Sequence, residues 1–212
     1  MVSGTERKTD LEFEPELEPK RITKVRKAGQ RNDNGRKLYL VGFMASGKSQ
    51  LGRRLSALLD CPLYDTDLCI EQQTGMSVPE IFAQRGETWF REAESLLIRS
   101  LPDEACVVVT GGGLPCREEN MEYMCQDGIT VYIDVPEEIL IQRLLIPENR
   151  AERPLLNGMK TEEISFFVKN KLKEREYFYK QAERCFRPEE EDFASFLRWA
   201  RKAMKRDIHE TT

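Results

Sequence analysis

The sequence predicts an α/β domain in which helices cover both faces of a parallel β-sheet. From residue 37 onward, short apolar strand-like runs alternate with stretches of helical periodicity, which is typical of parallel sheets. A glycine-rich GxxxxGK[ST] motif at 42–49 lies between the first strand-like run and the first helix. The chain has 212 residues, of which 40% are hydrophobic. That length favours one domain, and that apolar fraction can form its core.

The first elements follow from local patterns. The apolar run 37–43 predicts a strand, and leucines at helical spacing predict a helix over 47–59. A short strand is predicted over 62–65. The segment 77–80 has the pattern of a capping box with proline in the first turn, which predicts a helix start. A longer helix is predicted from about 87 to 100.

The same alternation continues to the end of the domain. Strands are predicted over 106–110, 130–134 and 185–188, and helices over 118–125, 136–145, 161–184 and 192–205. The third strand ends in three consecutive glycines, 111–113, which indicate a turn. Residues 147–160 are polar and irregular, so we expect a loop there.

The ends of the chain differ in composition from this domain. Residues 10–18 carry five acids and no base, and residues 20–37 carry eight bases and one acid. Blocks of like charge without apolar periodicity are typical of disorder, so residues 1–36 are predicted to be a disordered charged tail. An interaction arm is the alternative. The predicted domain covers 37–206, and a C-terminal tail follows over 207–212.

Composition excludes several classes of protein. With a net charge of -4, the chain is not expected to bind nucleic acid. The longest apolar run, 38–45, is too short to cross a membrane, and the N-terminus lacks the apolar segment of a secretory signal. Six cysteines without a CxxC pair indicate reduced thiols, so a cytoplasmic location is predicted. A single histidine, His209, excludes histidine-based triads and most zinc sites.

The motif at 42–49 predicts a nucleoside triphosphate site. Its glycines let the backbone curl so that successive N–H groups point at phosphate oxygens, and the helix N-terminus adds positive charge. In this mechanism Lys48 reaches the β- and γ-phosphates, and the hydroxyl of Ser49 binds Mg²⁺. The motif does not identify the group that receives the phosphate.

Two carboxylates point to a small acceptor. Asp65 and Asp67 end the second predicted strand, at the sheet edge where ligands of open α/β sheets bind. One carboxylate can complete the Mg²⁺ shell while the other faces the acceptor. The domain is short for a large motor and has no long Walker-B strand followed by a catalytic glutamate. These features favour a small-molecule kinase.

Six motifs follow one another along residues 37–206 and together resemble the shikimate kinase family. They are GFMASGKS at 42–49, YDTD at 64–67, IEQQTGMSVPEIFAQRGETWFREAES at 70–95, TGGG at 110–113, RPLL at 153–156 and R-x-x-x-Y from 175. The segments 111–124 and 178–186 are most similar to Bacteroidetes members. The resemblance implies a P-loop kinase three-layer sandwich of the small-molecule type. It further implies a five-stranded parallel sheet of order 2-3-1-4-5 and a lid at about 147–160.

The family resemblance also implies an activity. It is the transfer of phosphate from ATP, with Mg²⁺, to the 3-hydroxyl of shikimate, a step of aromatic amino acid biosynthesis. The partners are then shikimate and ATP, without nucleic acid or membrane, and the expected state is a monomer. Two alternatives remain open at this stage. One is another small P-loop kinase, such as a gluconate or nucleoside-monophosphate kinase. The other is a non-catalytic protein that kept the fold.

On the donor side, the resemblance implies the following roles. Ser49 and Asp65 would hold Mg²⁺. Arg153 would swing in on the lid to reach the transferring phosphate. The remaining ATP contacts would come from the P-loop and from the adenine border, namely Gly42, Ala45, Ser46, Gly47, Lys48, Ser49, Gln50, Arg143, Arg187 and Pro188.

On the acceptor side, Asp67 would bind the shikimate hydroxyls and take the proton of the attacking one. Arg91 and Arg175 would clamp the carboxylate, for which the planar, bidentate guanidinium is suited. Gly111, Gly112 and Gly113 would let the backbone approach the substrate. Taken alone, each arginine could equally be a solvated helix residue, Arg91 pairing with Glu87 one turn away.

One position departs from the family pattern. Ala45 stands where the family usually has a third P-loop glycine. Alanine disfavours positive φ, so either this residue has a negative φ or the loop is strained. The general motif leaves the position free, so ATP binding is expected to survive.

Overall fold

The structure of the chain is a computed structural model that describes residues 35–148, 153–156 and 158–205. Five parallel strands form one sheet in the order β2-β3-β1-β4-β5, with helices on both sides, which confirms the predicted fold class. The strands are β1 (Lys37–Val41), β2 (Leu63–Asp65), β3 (Val107–Val109), β4 (Gly128–Ile133) and β5 (Arg184–Phe186).

Seven helices belong to the described part of the chain. They are α1 (Lys48–Leu59), α2 (Thr66–Thr74), α3 (Val78–Ser100), α4 (Glu118–Asp127), α5 (Glu137–Leu145), α6 (Thr161–Tyr179) and α7 (Phe193–Lys205). Short 3₁₀ turns occur at Leu114–Cys116 and Pro154–Leu156. None of the helices in these residues is long and apolar enough to span a membrane.

The central strand explains why the site forms at one edge. β1 is buried along its whole length and pairs with β3 on one side and β4 on the other, so Leu40 lies opposite both Val109 and Val131. A strand buried on both faces is a continuous apolar run, as the sequence pattern indicated. Because the strands are parallel, the segments that follow β1, β2 and β3 meet at the same edge.

The apolar side chains form two clusters. The larger one surrounds the sheet and includes all of β3 and most of β1 and β4. The smaller one joins α2 to α3 through Ile70, Ile81, Phe90, Ala93 and Leu97. This second cluster holds the middle of α3 against α2, and it therefore positions the face of α3 that carries Arg91.

Three elements differ from their predicted form. The helices expected at 77–82 and 87–100 lie in the single range of α3, interrupted at Gly86, whose φ is 83° and ψ 166°. The helix α2 was not predicted from the sequence pattern. The helix expected over 161–184 ends at Tyr179, because Arg184–Phe186 pairs with β4 and the chain must turn before it.

The predicted tails fall almost entirely outside the described residues, which also omit 149–152 and 157 of the expected lid. Gly35 and Arg36 are the exceptions, since both lie at the end of the predicted tail and are described. Arg36 shows how the chain joins the domain. Its backbone N–H donates to the carbonyl of Met204 at 2.9 Å, and its guanidinium donates to the carbonyl of Gly128 at 2.9 Å. The chain therefore already contacts the folded domain at Arg36.

Candidate active site

A cavity of about 1270 Å³ opens at the carboxyl edge of the sheet. It is lined by most of the residues that the sequence singled out: Ala45, Ser46, Gly47, Lys48, Ser49, Gln50, Asp65, Asp67, Arg91, Gly111, Gly112, Gly113, Arg143, Arg153, Arg175 and Pro188. Gly42 and Arg187 are not among the lining residues. The fold thus brings residues from eight separate segments to one space.

Lys48 is held by the loop that precedes it. Its side chain is buried, and Nζ donates to the carbonyls of Gly42 at 2.9 Å and Phe43 at 2.8 Å. Burial lowers the pKa of Lys48 to about 8, although the nearby carboxylates of Asp67 and Asp65 oppose that shift. The ammonium group is therefore positioned before any nucleotide binds, and it is poorly solvated.

Ala45 adopts the left-handed conformation, with a φ of 61°. From the sequence, Ala45 was expected to have either a negative φ or a strained conformation. The φ is positive, so the first alternative is wrong and the P-loop contains a strained alanine. A left-handed non-glycine residue costs roughly 1 to 2 kcal/mol. The carbonyl of Ala45 accepts a hydrogen bond from Nη1 of Arg143 at 3.0 Å. Arg143 therefore supports the loop at its strained residue.

Ser49 and Asp65 offer a pair of hard oxygen ligands. The hydroxyl of Ser49 donates to Oδ2 of Asp65 at 2.9 Å. Mg²⁺ is usually bound through one or two protein oxygens, with phosphate and water completing its shell. In the described part of the chain, no three histidine, cysteine or acidic side chains group to hold a metal. The pair thus fits Mg²⁺ that arrives with a nucleotide better than a metal held by protein alone.

Asp67 and Glu94 converge on Gly111. A Cβ at Gly111 would lie 2.6 Å from Oδ1 of Asp67 and 2.4 Å from Oε1 of Glu94, so only glycine fits between them. Both oxygens are buried, and neither has a hydrogen-bond partner within the described residues. Burial raises the pKa of Asp67 to about 6 and that of Glu94 to about 7. Asp67 is therefore a better proton acceptor than an exposed aspartate.

Arg91 is both paired and exposed to the cavity. Its guanidinium donates to Glu87 at 2.9 Å and to Glu94 at 2.7 Å. A Cβ at Gly113 would lie 2.6 Å from Cζ of Arg91, so the guanidinium packs directly on that glycine. The ordinary helix pair with Glu87 is thus present, but it coexists with a buried pair and a position in the cavity wall.

Arg175 lies on α6 and, like Arg91, lines the cavity. Its side chain is buried, and among the described residues it forms no ion pair. A Cβ at Gly112 would lie 3.5 Å from its Nη1. One turn further along α6, the hydroxyl of Tyr179 donates to the carbonyl of Gly112 at 2.6 Å. A buried guanidinium facing a cavity without a carboxylate partner is a strong binding group for an anion.

The predicted adenine border is only partly assembled. Arg143 lies at the P-loop, with Nη2 3.9 Å from Glu189, and Pro188 lines the cavity. Arg187 instead pairs with Asp134 at 2.9 Å and Glu190 at 3.7 Å, and half of its side chain is exposed. Arg153 lines the cavity, close enough to Lys48 for its charge to lower the pKa of that lysine.

Two residues of the site escaped the sequence reasoning. Glu94 was assigned no role, although its helical spacing from Phe90, Leu97 and Ile98 placed it on the buried face of α3. Tyr179 was quoted within a motif but given no function. Its signal was its spacing of four residues from Arg175, which puts both side chains on one helix face.

Comparison with known proteins identifies the family. A family model described as shikimate kinase matches residues 44–203. A shikimate kinase of Bacteroides fragilis is 40% identical over 147 residues, which cover 69% of this chain and 81% of that protein. A shikimate kinase of Aquifex aeolicus is 39% identical over 148 residues, which cover 69% and 83% respectively.

Solved structures agree with these matches. A shikimate kinase from Bacteroides thetaiotaomicron aligns with a TM-score of 0.69 at 34% identity, covering 79% of this chain and 97% of that one. The enzyme from Acinetobacter baumannii, solved in complex with shikimate, aligns with a TM-score of 0.65 at 33% identity, covering 80% and 91%. An APS kinase of Mycobacterium tuberculosis, at 13% identity and a TM-score of 0.53, shares the fold alone. The chain therefore belongs to the shikimate kinase family.

Proposed function

We propose that this kinase transfers the γ-phosphoryl group of ATP to the 3-hydroxyl of shikimate and releases ADP. The observation that carries the proposal is the layout of the cavity. A P-loop lysine, two arginines for an anionic acceptor and Asp67 all line one space. The Acinetobacter baumannii relative, solved with shikimate bound, supports this choice of acceptor. A gluconate kinase or a non-catalytic binder is not favoured.

The donor end binds and orients the nucleotide. The P-loop N–H groups and Lys48 bind the phosphate oxygens, and the N-terminus of α1 adds its dipole. Ser49 and Asp65 would hold Mg²⁺, which neutralises charge on the β- and γ-phosphates when it is bound. Arg153 would add positive charge at the transferring group. Catalysis of phosphoryl transfer depends mainly on such positioning and charge, because little covalent chemistry is left for the protein.

The acceptor end binds shikimate and takes a proton. Arg91 and Arg175 bind its carboxylate from opposite sides of the glycine run, each with a planar pair of donors. The 3-hydroxyl oxygen then forms a bond to the γ-phosphorus as the bond from that phosphorus to the bridging oxygen of ADP breaks. Asp67 accepts the hydroxyl proton, for which its raised pKa of about 6 is well matched.

Three further assignments stay predictions. Arg143 and Pro188, which line the cavity, would border the adenine, and Arg187 would have to leave Asp134 to join them. The segment around Arg153 would close over the substrates and exclude water, which suppresses ATP hydrolysis. We likewise propose a monomeric state and a cytoplasmic location.

The test is a coupled ADP-release assay with ATP and Mg²⁺ and with shikimate, gluconate or AMP as acceptor. We expect ADP release that depends on shikimate, and phosphorus NMR should place the new phosphate on the 3-hydroxyl. Lys48→Met should abolish the signal, which excludes a contaminating kinase. Release only with another acceptor would refute the proposed substrate. Retained ATP binding without any release would favour a non-catalytic role.

A further inference from the structure

Behind the wall of the cavity, a buried amide joins three segments of the chain. Asn120 lies on α4, is 1% exposed, and does not line the cavity. Its Nδ2 donates to Oγ of Ser95 at 2.9 Å and to the carbonyl of Leu114 at 3.1 Å. Its Oδ1 accepts a hydrogen bond from Nη1 of Arg99 at 2.8 Å. Both N–H groups and the oxygen of this amide are therefore satisfied within the protein.

The partners of Asn120 lead directly to the acceptor end of the cavity. Leu114 follows Gly113, the last residue of the glycine run. Ser95 lies one turn after Arg91 on α3, and its hydroxyl donates to the backbone carbonyl of Arg91 at 2.9 Å. A continuous chain of hydrogen bonds thus links the end of the glycine run, through Asn120 and Ser95, to the helical turn that carries Arg91.

The same two segments also touch inside the cavity. There the guanidinium of Arg91 packs on Gly113, so closely that a Cβ at this glycine would lie 2.6 Å from Cζ. The contact has no hydrogen bond of its own between the two residues, and it depends on how far α3 stands from the glycine run. The chain of hydrogen bonds through Asn120 joins the same two segments from the rear.

We propose that Asn120 is a positioning residue that sets the affinity of the enzyme for the acceptor carboxylate. It acts on the glycine run through Leu114 and on Arg91 through Ser95. This inference rests on the proposed function. Without the amide, the carbonyl of Leu114 loses its buried donor, and the glycine run and α3 are free to move apart. Small displacements of binding groups cost large factors in affinity or rate. Gly112 lies beside the P-loop, where a Cβ would be 3.3 Å from the backbone nitrogen of Met44. Asn120 itself bonds to Leu114, Ser95 and Arg99, so we expect its loss to act mainly on the acceptor end.

Two substitutions test the role. Asn120→Asp keeps the size of the side chain and an acceptor for Arg99, but it removes both donors. Ser95→Ala breaks the link to Arg91 without changing charge and leaves the bond to Leu114 intact. We expect KM for shikimate to rise about tenfold in the first variant and about threefold in the second, with kcat and KM for ATP unchanged within about twofold. In the double variant, the rise in KM for shikimate should be smaller than the product of the two single rises, because both substitutions act through one network.

The matched control is Ser56→Ala, which removes a side-chain hydrogen bond to the carbonyl of Cys61 at the end of α1, away from α3 and α4. It should lower the melting temperature without moving KM for shikimate. Calorimetric titration with shikimate on each variant gives a binding constant independent of turnover. If Asn120→Asp does not fold, Ser95→Ala alone decides the outcome.

Unchanged shikimate affinity in the folded variants would overturn the proposal, as would a parallel rise of both KM values. These results are distinguishable from failure of the proposed function, because that failure is already visible in the wild-type protein. A wild-type chain that neither binds nor phosphorylates shikimate would remove both proposals.

Discussion

The two ends of the cavity are built in different ways. At the phosphate end, the partners of Lys48 are Gly42 and Phe43, at most six residues away in the sequence. At the acceptor end, Asp67, Arg91, Gly111 and Arg175 come from four different segments. The direct partners of Lys48 are therefore local, with support for the P-loop from Arg143 at Ala45. The acceptor end, in contrast, exists only when α2, α3, α6 and the loop after β3 pack correctly.

The charges at the two ends differ as well. Among the residues that the structure describes, the ammonium of Lys48 donates to backbone carbonyls alone, and burial lowers its pKa to about 8. Arg91 already has two carboxylate partners, while Arg175 has none among the described residues. The comparison indicates that phosphate-end variants should act on the chemistry itself. Acceptor-end variants should act first on the binding of shikimate. A substitution outside the cavity, such as one at Asn120, should have the same kind of effect.

The largest effect is expected for Lys48→Met. It removes the buried cation that faces the transferring phosphate, so kcat should fall by about 10³-fold or more. The measurement is the steady-state rate of ADP release. The control is Lys37→Met, at the start of β1, where the lysine pairs with Asp127 at 2.8 Å. That variant should lose stability and keep its kcat. A Lys48→Met enzyme with a tenth of wild-type activity would contradict the comparison.

Asp67→Asn should separate activity from stability. We expect kcat/KM to fall by about 10²- to 10⁴-fold, because the acceptor of the hydroxyl proton is lost. The pKa of Asp67 is raised from 3.8 to about 6 in the folded state, so its stabilising contribution is complete below the unfolded value and is lost as pH rises through 6. The asparagine should therefore stabilise the protein at pH 8 by about 1 to 2 kcal/mol, and the gain should vanish near pH 4.

Chemical denaturation at both pH values measures that gain. Glu92→Gln, which removes an exposed carboxylate from α3, is the control and should change neither activity nor stability. A destabilised Asp67→Asn variant at pH 8 would mean that the ionised carboxylate is well compensated in the folded state.

Substitution of the two clamp arginines by lysine tests the acceptor end. Lysine keeps the charge but loses the bidentate geometry, so KM for shikimate should rise about 100-fold for Arg175→Lys. The rise should be smaller for Arg91→Lys, because Arg91 is already shared with Glu87 and Glu94. Arg85→Lys, an exposed arginine of the same helix, is the control. Equal effects at all three positions would rule out a specific clamp.

The smallest effect concerns the P-loop backbone. Ala45→Gly should relieve its left-handed strain and raise the free energy of unfolding by about 0.5 to 1 kcal/mol. Asp60, at the end of α1, has a similar φ of 55°. Aspartate tolerates this region better, so Asp60→Gly should gain less. Thermal unfolding of both variants measures these gains in stability. A loss of stability in Ala45→Gly would show that the φ of 61° carries no strain.

Much of the fold could be predicted because its signals are local. The buried strand β1, the glycine loop and the capped start of α3 each depend on neighbouring residues, and the structure contains all three. The end of α6 could not be predicted, because Tyr179 is followed by a turn that exists only to bring β5 beside β4. The resemblance to a family provided the strand order, which the local pattern leaves open.

The sequence by itself determined the fold class, the nucleotide loop and the group of residues that reach the cavity. Only the tertiary structure decided that Asp67 and Glu94 meet at Gly111, that Arg187 turns to Asp134, and that Asn120 and Tyr179 hold the glycine run. The reason is physical. A motif of eight residues is defined by backbone conformations along a short stretch, whereas these contacts depend on how elements distant in sequence pack against one another.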